Sequence, residues 1–266
     1  MYQFYTPFQP TLTQEGLKQF GLTLRFLQPC EALKGKVHYY LQINAERPTP
    51  YPVIPDGTQA IYFSSQGGMI AGAQLTALDV QLLEPGEYFG IWFYPGALRS
   101  FFNLNLSEIT GQFVDDKYFQ CRYFSELYID IYKENIFSDR AKVCESWLLK
   151  RYSYQPTTRF DMALQLIYKS AGREPIYQIA NKVGWSTRHL NRLFLQHTGL
   201  GSKSFSRIVR VQNTSRQLYL SPNHSLNGEL ELGYSDQPHL IKEFKKYLLA
   251  TPSEFVSRFM SDSYNP

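Results

Sequence analysis

The last 110 residues of this chain twice show the pattern of two short helices joined by a tight turn. In the first copy, Ile179 and Ala180 lie in an amphipathic segment, and the small Ala180 allows a second helix to cross closely. Gly184 then permits the left-handed conformation that ends a helix, and Ser186 is a favourable cap for the next one. This order of residues predicts a helix-turn-helix unit.

The second helix of the first copy has an apolar stripe that includes Leu190 and Phe194. The opposite face is polar, and Arg and Asn are the side chains that best match guanine and adenine edges in the major groove. We therefore predict that this face contacts DNA bases. The predicted contacts are Arg188, His189, Asn191 and Arg192, and for His189 partial burial remains an equal alternative.

The second copy follows the same plan around Gly233. Ser235 is the expected cap, and Leu240 and Phe244 are expected to face the core. Pro238 fits the first helical turn, where its missing N–H costs nothing. The residues predicted to meet DNA are Gln237, Pro238, Ile241 and Lys242 at the groove, with Lys245 and Lys246 near the phosphate backbone.

Between the two copies, Ser204–Leu220 predicts one long helix ended by Pro222. It carries Arg207, Arg210 and Arg216, and we predict phosphate contacts for some of them, Arg210 included. From residue 157 onward the chain has 14 Lys and Arg against 8 Asp and Glu, whereas the preceding residues have 13 against 15. Positive charge concentrated on short paired helices is typical of a DNA-binding domain.

The first half of the chain is predicted to be rich in strands. Apolar runs of four to seven residues, bounded by Gly and Pro, favour a small barrel or sandwich. Pro55-Asp56-Gly57 is one such boundary, and Asp56 is interpreted as a turn residue. The runs are Val37–Ile43, Ala60–Phe63 and Tyr88–Tyr94.

Two helices are predicted to follow these strands, near Phe119–Asn135 and Ser138–Tyr152. Their apolar stripes belong either to the core or to a dimer contact. Tyr152–Thr158 is the expected linker, because Pro156 disfavours helix before it. The fold class is therefore α+β in two domains: a β-rich barrel- or sandwich-like domain with trailing helices over residues 1–155, and an all-α double helix-turn-helix domain over residues 156–266.

Several classes of protein are excluded by composition. The first residues lack a signal-peptide pattern, and no apolar run approaches the roughly 20 residues that span a bilayer, so we expect a cytoplasmic protein without membrane contact. Cys30, Cys121 and Cys144 are too scattered for a zinc site or an alkyl-transfer repair enzyme. His38 is the only histidine before His189, which argues against a metal-dependent barrel enzyme. We expect neither enzymatic activity nor a cofactor or metal.

The first half could also hold an effector. Tyr62, Trp92 and Arg99 are the candidate pocket residues, and Arg99 could pair with an anionic effector. The alternative assigns the two aromatic side chains to the core and Arg99 to a cap or the surface. In that alternative the first half only dimerises or contacts RNA polymerase.

The second half resembles the AraC/XylS family of bacterial transcription regulators over roughly residues 157–260. The resemblance implies seven helices in two helix-turn-helix units, activation of transcription, and a homodimer that contacts double-stranded DNA and RNA polymerase. It also implies base contacts from Arg188, Asn191, Arg192, Gln237 and Lys242. The segments that carry it are Ile179-Ala180, Gly184, Ser186, Leu190, Arg192, Phe194 and Gly199, then Gly233–Gln237, His239, Glu243–Lys245 and Thr251-Pro252.

One position departs from the family pattern. Gly228-Glu229 stands where the family usually has isoleucine and alanine. Glycine inside a helix costs roughly 1 kcal/mol relative to alanine, so the second unit is expected to be looser.

The first half resembles an uncharacterised domain found ahead of some AraC-type domains, through Ile54–Gly57, Gly72 and Gly90–Gly96.

Overall fold

The computed structural model describes residues 5–18, 20–65, 67–82, 84–115, 124–153, 158–220 and 232–255. Two antiparallel sheets make up the N-terminal half of these residues. The strands are β1 (Leu22–Leu27), β2 (Val37–Ala45), β3 (Thr49–Val53), β4 (Gln59–Ser64), β5 (Gly67–Ala71), β6 (Leu78–Leu82), β7 (Gly86–Phe93) and β8 (Phe113–Asp115). The larger sheet has the order β1-β2-β7-β4-β5-β8, and β3 pairs with β6 in the smaller one.

Both faces of the central strands β2, β4 and β7 are largely buried, which explains their nearly continuous apolar sequences. On β7, Phe89 and Ile91 pack into one core while Trp92 packs into another. The second core also contains Tyr51 of β3, so the small sheet covers that face. The strands predicted at Val37–Ile43, Ala60–Phe63 and Tyr88–Tyr94 are confirmed within β2, β4 and β7, the last ending at Phe93.

Helices cover the other face of the larger sheet. These helices are α2 (Phe124–Lys133) and α3 (Phe137–Arg151), which follow β8. The short helix α1 (Gln14–Lys18) precedes β1 and buries Leu17 on the face of the small sheet. Phe124, Leu127 and Ile131 of α2 are buried with the sheet residues, so the core interpretation of this stripe is confirmed for them. Two 3-10 helices, Ala97–Ser100 and Leu106–Ile109, join the sheet to the second domain.

The second domain is helical throughout its described residues. The helices are α4 (Arg159–Lys169), α5 (Ile176–Lys182), α6 (Thr187–Thr198), α7 (Ser202–Leu220) and α8 (Gln237–Leu248), with a helical turn at residues 252–255. The predicted long helix is confirmed as α7. The predicted domain boundary after residue 155 and the Gly228-Glu229 departure lie outside the described residues.

The core of the second domain also includes four buried residues of the first: Tyr5, Ile54, Ala73 and Ala77. Tyr5 stacks on Tyr168 of α4 with ring centroids 4.5 Å apart. Gln212, buried in α7, accepts a hydrogen bond from Phe8 N (2.8 Å) and donates to Pro55 O (2.9 Å). The N-terminal segment therefore holds α7, the helix between the two helix-turn-helix units, against the sheet domain.

The turn before β4 contacts the second domain directly. A Cβ added at Gly57, which has φ +77°, would lie 2.8 Å from the Phe205 ring. Gln59 donates to Thr198 O at the end of α6 (3.0 Å). Asp56 accepts from Thr58 N, which confirms it as a turn residue. No described helix is long and apolar enough to cross a membrane.

Candidate DNA-binding surface

The first helix-turn-helix is formed by α5 and α6 as the sequence predicts. Gly184 has φ +70°, and the Ser186 hydroxyl accepts from His189 N (3.2 Å) at the start of α6. Leu190 and Phe194 are fully buried, as is Ala180 apart from 1% of its surface. The burial of Leu190, Phe194 and Ala180 fixes the direction in which the opposite face of α6 points.

The outward face of α6 is basic. Arg188 and Arg192 are exposed, and Arg192 Nη2 lies 3.2 Å from His189 Nδ1. His189 is half-buried and meets the Trp185 ring edge to face at 5.0 Å. The two arginines thus stand free of the core at the position where a recognition helix contacts bases.

Asn191 differs from its predicted outward orientation. It is half-buried, and its Oδ1 accepts from Ser202 N (3.1 Å) and Ser202 Oγ (3.3 Å). The carbonyl oxygen of its side chain therefore stabilises the first turn of α7, where backbone N–H groups lack helical partners. Asn191 joins the recognition helix to α7, a long-range contact that its sequence context does not indicate.

The second recognition helix is α8, and its cap corrects one prediction. Asp236, not Ser235, is the N-cap, and its carboxylate accepts from His239 N (2.7 Å). Ser235 instead contacts His239 Nδ1 through its N and Oγ, each at 3.2 Å. Pro238 lies in the first turn as predicted. Leu240 and Phe244 are fully buried, and Gly233 has φ +86°.

The outward face of α8 carries the predicted polar and basic side chains. Ile241 is half-buried, at the edge of this face. Two neighbouring cations at the end of the helix suit phosphate contact more than base contact. The exposed residues are Gln237, Pro238, Lys242, Lys245 and Lys246.

Arg210, which is predicted to contact phosphate, is engaged within the chain instead. Its guanidinium binds both carboxylate oxygens of Glu243 (2.8 and 2.9 Å from Nη2) and donates to Gly233 O (3.1 Å). The other two arginines of α7 are also engaged within the chain. Arg207 pairs with Glu243 at 3.1 Å, and Arg216 donates to Thr6 O. All three arginines therefore already have a partner within the chain.

Glu243 is a residue that the sequence analysis missed. Its side chain is 5% exposed, and it lies in α8 facing Arg207 and Arg210 of α7. His239 Nε2 is 3.5 Å away. A buried carboxylate with two cationic partners ties the second recognition helix to α7. The signal in the sequence was that Glu243 is the single acidic residue of α8 and stands among basic residues.

The candidate effector residues do not come together in one pocket. Tyr62 and Trp92 line a cavity of about 60 Å³, and Trp92 Nε1 donates to Thr58 Oγ1 (2.6 Å). Arg99 lies elsewhere, 2.5 Å from Asp161 of α4 and against the Phe160 ring. Arg99 thus forms an ion pair between the domains, and its pairing with an effector stays a prediction.

The surroundings of that ion pair lower the pKa of two groups, Asp161 and His197. Burial alone would raise the pKa of Asp161, but the charge of Arg99 and hydrogen bonds from Arg99 and Thr158 outweigh it and lower the pKa. Burial, reinforced by Arg99, lowers the pKa of His197 in α6 to about 4. No described cluster of His, Cys, Asp and Glu is suited to hold a metal ion.

Comparison with known families agrees with this geometry. Residues 159–258 match the family model described as a helix-turn-helix domain, and residues 25–115 match a domain of unknown function, DUF6597. The range matched by the helix-turn-helix model contains every helix from α4 to α8. The match therefore includes α6 and α8, the helices that carry the predicted DNA contacts.

Three curated relatives match over parts of the chain. An uncharacterised HTH-type transcriptional regulator of Haemophilus influenzae is 34% identical over 80 residues, which is 30% of this chain and 27% of the relative. GlxA of Rhizobium meliloti, named an HTH-type transcriptional regulator, is 32% identical over 30% of this chain and 25% of its own length. PqrA of Proteus vulgaris, named a probable transcription factor, is 32% identical over 29% and 63%.

The chain therefore spans about a quarter of the length of the first two relatives and less than two thirds of the third. Among solved structures, ToxT from Vibrio cholerae aligns with 88% of this chain and 97% of its own. The TM-score is 0.41 and the identity is 9%.

Proposed function

We propose that this protein is a sequence-specific transcription regulator that inserts α6 and α8 into the major groove of DNA. The observation that carries the proposal is the orientation of α6, whose cap and buried stripe leave Arg188 and Arg192 exposed. On α8 the same orientation leaves Lys242, Lys245 and Lys246 exposed. The regulators named among the relatives support this function for the AraC-type domain.

The test separates base contacts from phosphate contacts. Arg188→Ala should cost about 1–3 kcal/mol of binding to a selected duplex and relax the preference at one base pair. Lys245→Ala should weaken binding to all duplexes alike and reduce the slope of log K against log salt by about 0.9. Identical behaviour of the two variants in anisotropy titrations would show that the groove-facing side of α6 is misassigned.

The resemblance of the second domain further supports activation of transcription by a cytoplasmic homodimer that contacts RNA polymerase.

The size of the cavity in the first domain bears on whether the protein binds an effector. The cavity at Tyr62 and Trp92, about 60 Å³, is small beside the roughly 300–1,000 Å³ of typical ligand pockets. This favours the candidate function in which the first domain binds no effector. Full transcription from a cognate promoter with purified components supports it, and a requirement for a dialysable small molecule contradicts it.

A further inference from the structure

An open channel runs between the first recognition helix and the sheet domain. One wall is the outward side of α6, with Arg188, Arg192 and Gln196. The other wall belongs to the 3-10 helix Leu106–Ile109 and its cap, with Asn105 and Ser107. The channel encloses about 680 Å³, and the arginines, Asn105 and Ser107 are exposed.

The second wall is fixed to the end of α6. Thr110 Oγ1 donates to Gly199 O, the residue that ends α6, at 2.6 Å. The contact is close, because a Cβ added at Gly199 would lie 3.0 Å from Leu106 O. Leu106 itself is 2% exposed. The spacing between α6 and this wall is therefore set by packing.

The position of the channel suits a sugar–phosphate strand. A helix in the major groove, which is about 12 Å wide and 8.5 Å deep, has a phosphate strand rising on each side of it. If α6 enters the groove as proposed, the strand on this side of the helix lies in the channel. The α6 wall is cationic, and the facing wall offers an amide and a hydroxyl, which are common phosphate contacts.

We propose that the sheet domain takes part in DNA binding, with Asn105 and Ser107 contacting the backbone of the strand that flanks α6. The inference rests on the proposed function of α6. Ser107 Oγ now donates to Asn105 Oδ1 (2.8 Å), and Asn105 Nδ2 donates to Glu108 Oε1 (3.0 Å). Both bonds are at the surface, so phosphate oxygens can replace these acceptors at little cost.

A charge placed at Ser107 tests the proposal on the full chain. In Ser107→Lys, one added phosphate contact should steepen the slope of log K against log salt by about 0.9. Affinity should rise about fivefold at low salt, the order expected for two charges about 4 Å apart near water. The control is Ser65→Lys at the exposed tip between β4 and β5, the opposite end of β4 from the residues that contact the second domain. It should leave slope and affinity unchanged.

Equal slopes for Ser107→Lys and Ser65→Lys would overturn the proposal. A second variant, Glu108→Gln, tests the proposal without introducing a lysine that could distort the local structure. Glu108→Gln removes a negative charge beside the strand and keeps an oxygen that can accept from Asn105, so binding should tighten; unchanged affinity again counts against the proposal. Wild-type protein that prefers no duplex sequence would instead refute the proposed function itself, because that result concerns α6 and α8 rather than Ser107.

Discussion

Arg210 of α7 and Glu243 of α8 form a buried ion pair in which the guanidinium contacts both carboxylate oxygens. Arg210 Nη2 lies 2.8 and 2.9 Å from the two carboxylate oxygens, and the side chains are 12% and 5% exposed. Arg210 also covers the Tyr234 ring at 5.1 Å. The pair joins α7 to α8, the helix that we propose enters the major groove.

Glu243→Ala should therefore destabilise the protein by about 3–5 kcal/mol, because it leaves Arg210 buried without its partner. The double variant Arg210→Met/Glu243→Met should recover most of the loss, since apolar replacement removes both charges. Thermal unfolding measures both effects. The control is Glu31→Ala, which breaks an exposed pair with Lys34 and should cost less than about 1 kcal/mol. Equal losses in the two single variants would argue against a structural role for the buried pair.

Gly57→Ala should loosen the contact between the domains. The new Cβ would lie 2.8 Å from the Phe205 ring, in a backbone conformation that already costs alanine about 1 kcal/mol. Gly111→Ala is the matched control, with φ +70° and no atom within 4 Å of the added Cβ. Gly57→Ala should be the less stable of the two by about 1–3 kcal/mol, the usual cost of overpacking. Identical midpoints of unfolding would mean that Phe205 moves aside freely.

Substitution of Asn191 should affect stability as well as DNA binding. Asn191→Ala removes the acceptor for Ser202 N and should cost about 0.5–2 kcal/mol, as loss of a helix cap does. Asn191→Asp keeps the acceptor and should retain the stability, while its charge weakens DNA binding. Circular dichroism melts and anisotropy titrations separate the two effects. If the wild type and both variants were equally stable, Asn191 would have no structural role, and only the predicted base contact would remain.

Stability should fall as the pH drops below neutrality, in part because of His38. Burial, reinforced by Arg216, lowers its pKa from 6.5 to about 4. A depressed pKa in the folded state means that the contribution is complete above 6.5 and is lost as the pH falls toward 4. Each pKa unit is worth about 1.4 kcal/mol, so the loss is on the order of 3 kcal/mol. His38→Gln should flatten the unfolding profile between pH 7 and 4.5; an unchanged slope would contradict this account.

Local signals in the sequence predicted the helix-turn-helix elements well. Gly184 and Ser186 act within a few residues of their own position, so the turn and cap that they predict are confirmed. The apolar run Tyr88–Tyr94, bounded by Gly and Pro, likewise predicted β7. The cap of α8 was misplaced by one residue because Ser235 and Asp236 are both good caps, and only backbone geometry distinguishes them.

The errors arise where partners are distant in sequence. Arg210 meets Glu243 33 residues away, and Arg99 meets Asp161 62 residues away. Arg216 binds the carbonyl of a residue 210 positions earlier. An arginine on a predicted helix carries no local sign of such a partner. Basic residues were therefore assigned to DNA or to an effector when the fold uses them to hold helices and domains together.

The most direct test is a selection from random duplex DNA, followed by titration of the selected duplex against scrambled DNA at two salt concentrations. Our account predicts an enriched motif, preferred over scrambled DNA by about 10³-fold. Two conserved boxes about one helical turn apart are expected if α6 and α8 both contact bases. No enriched motif, with binding that disappears as salt rises, would contradict sequence-specific recognition by this protein.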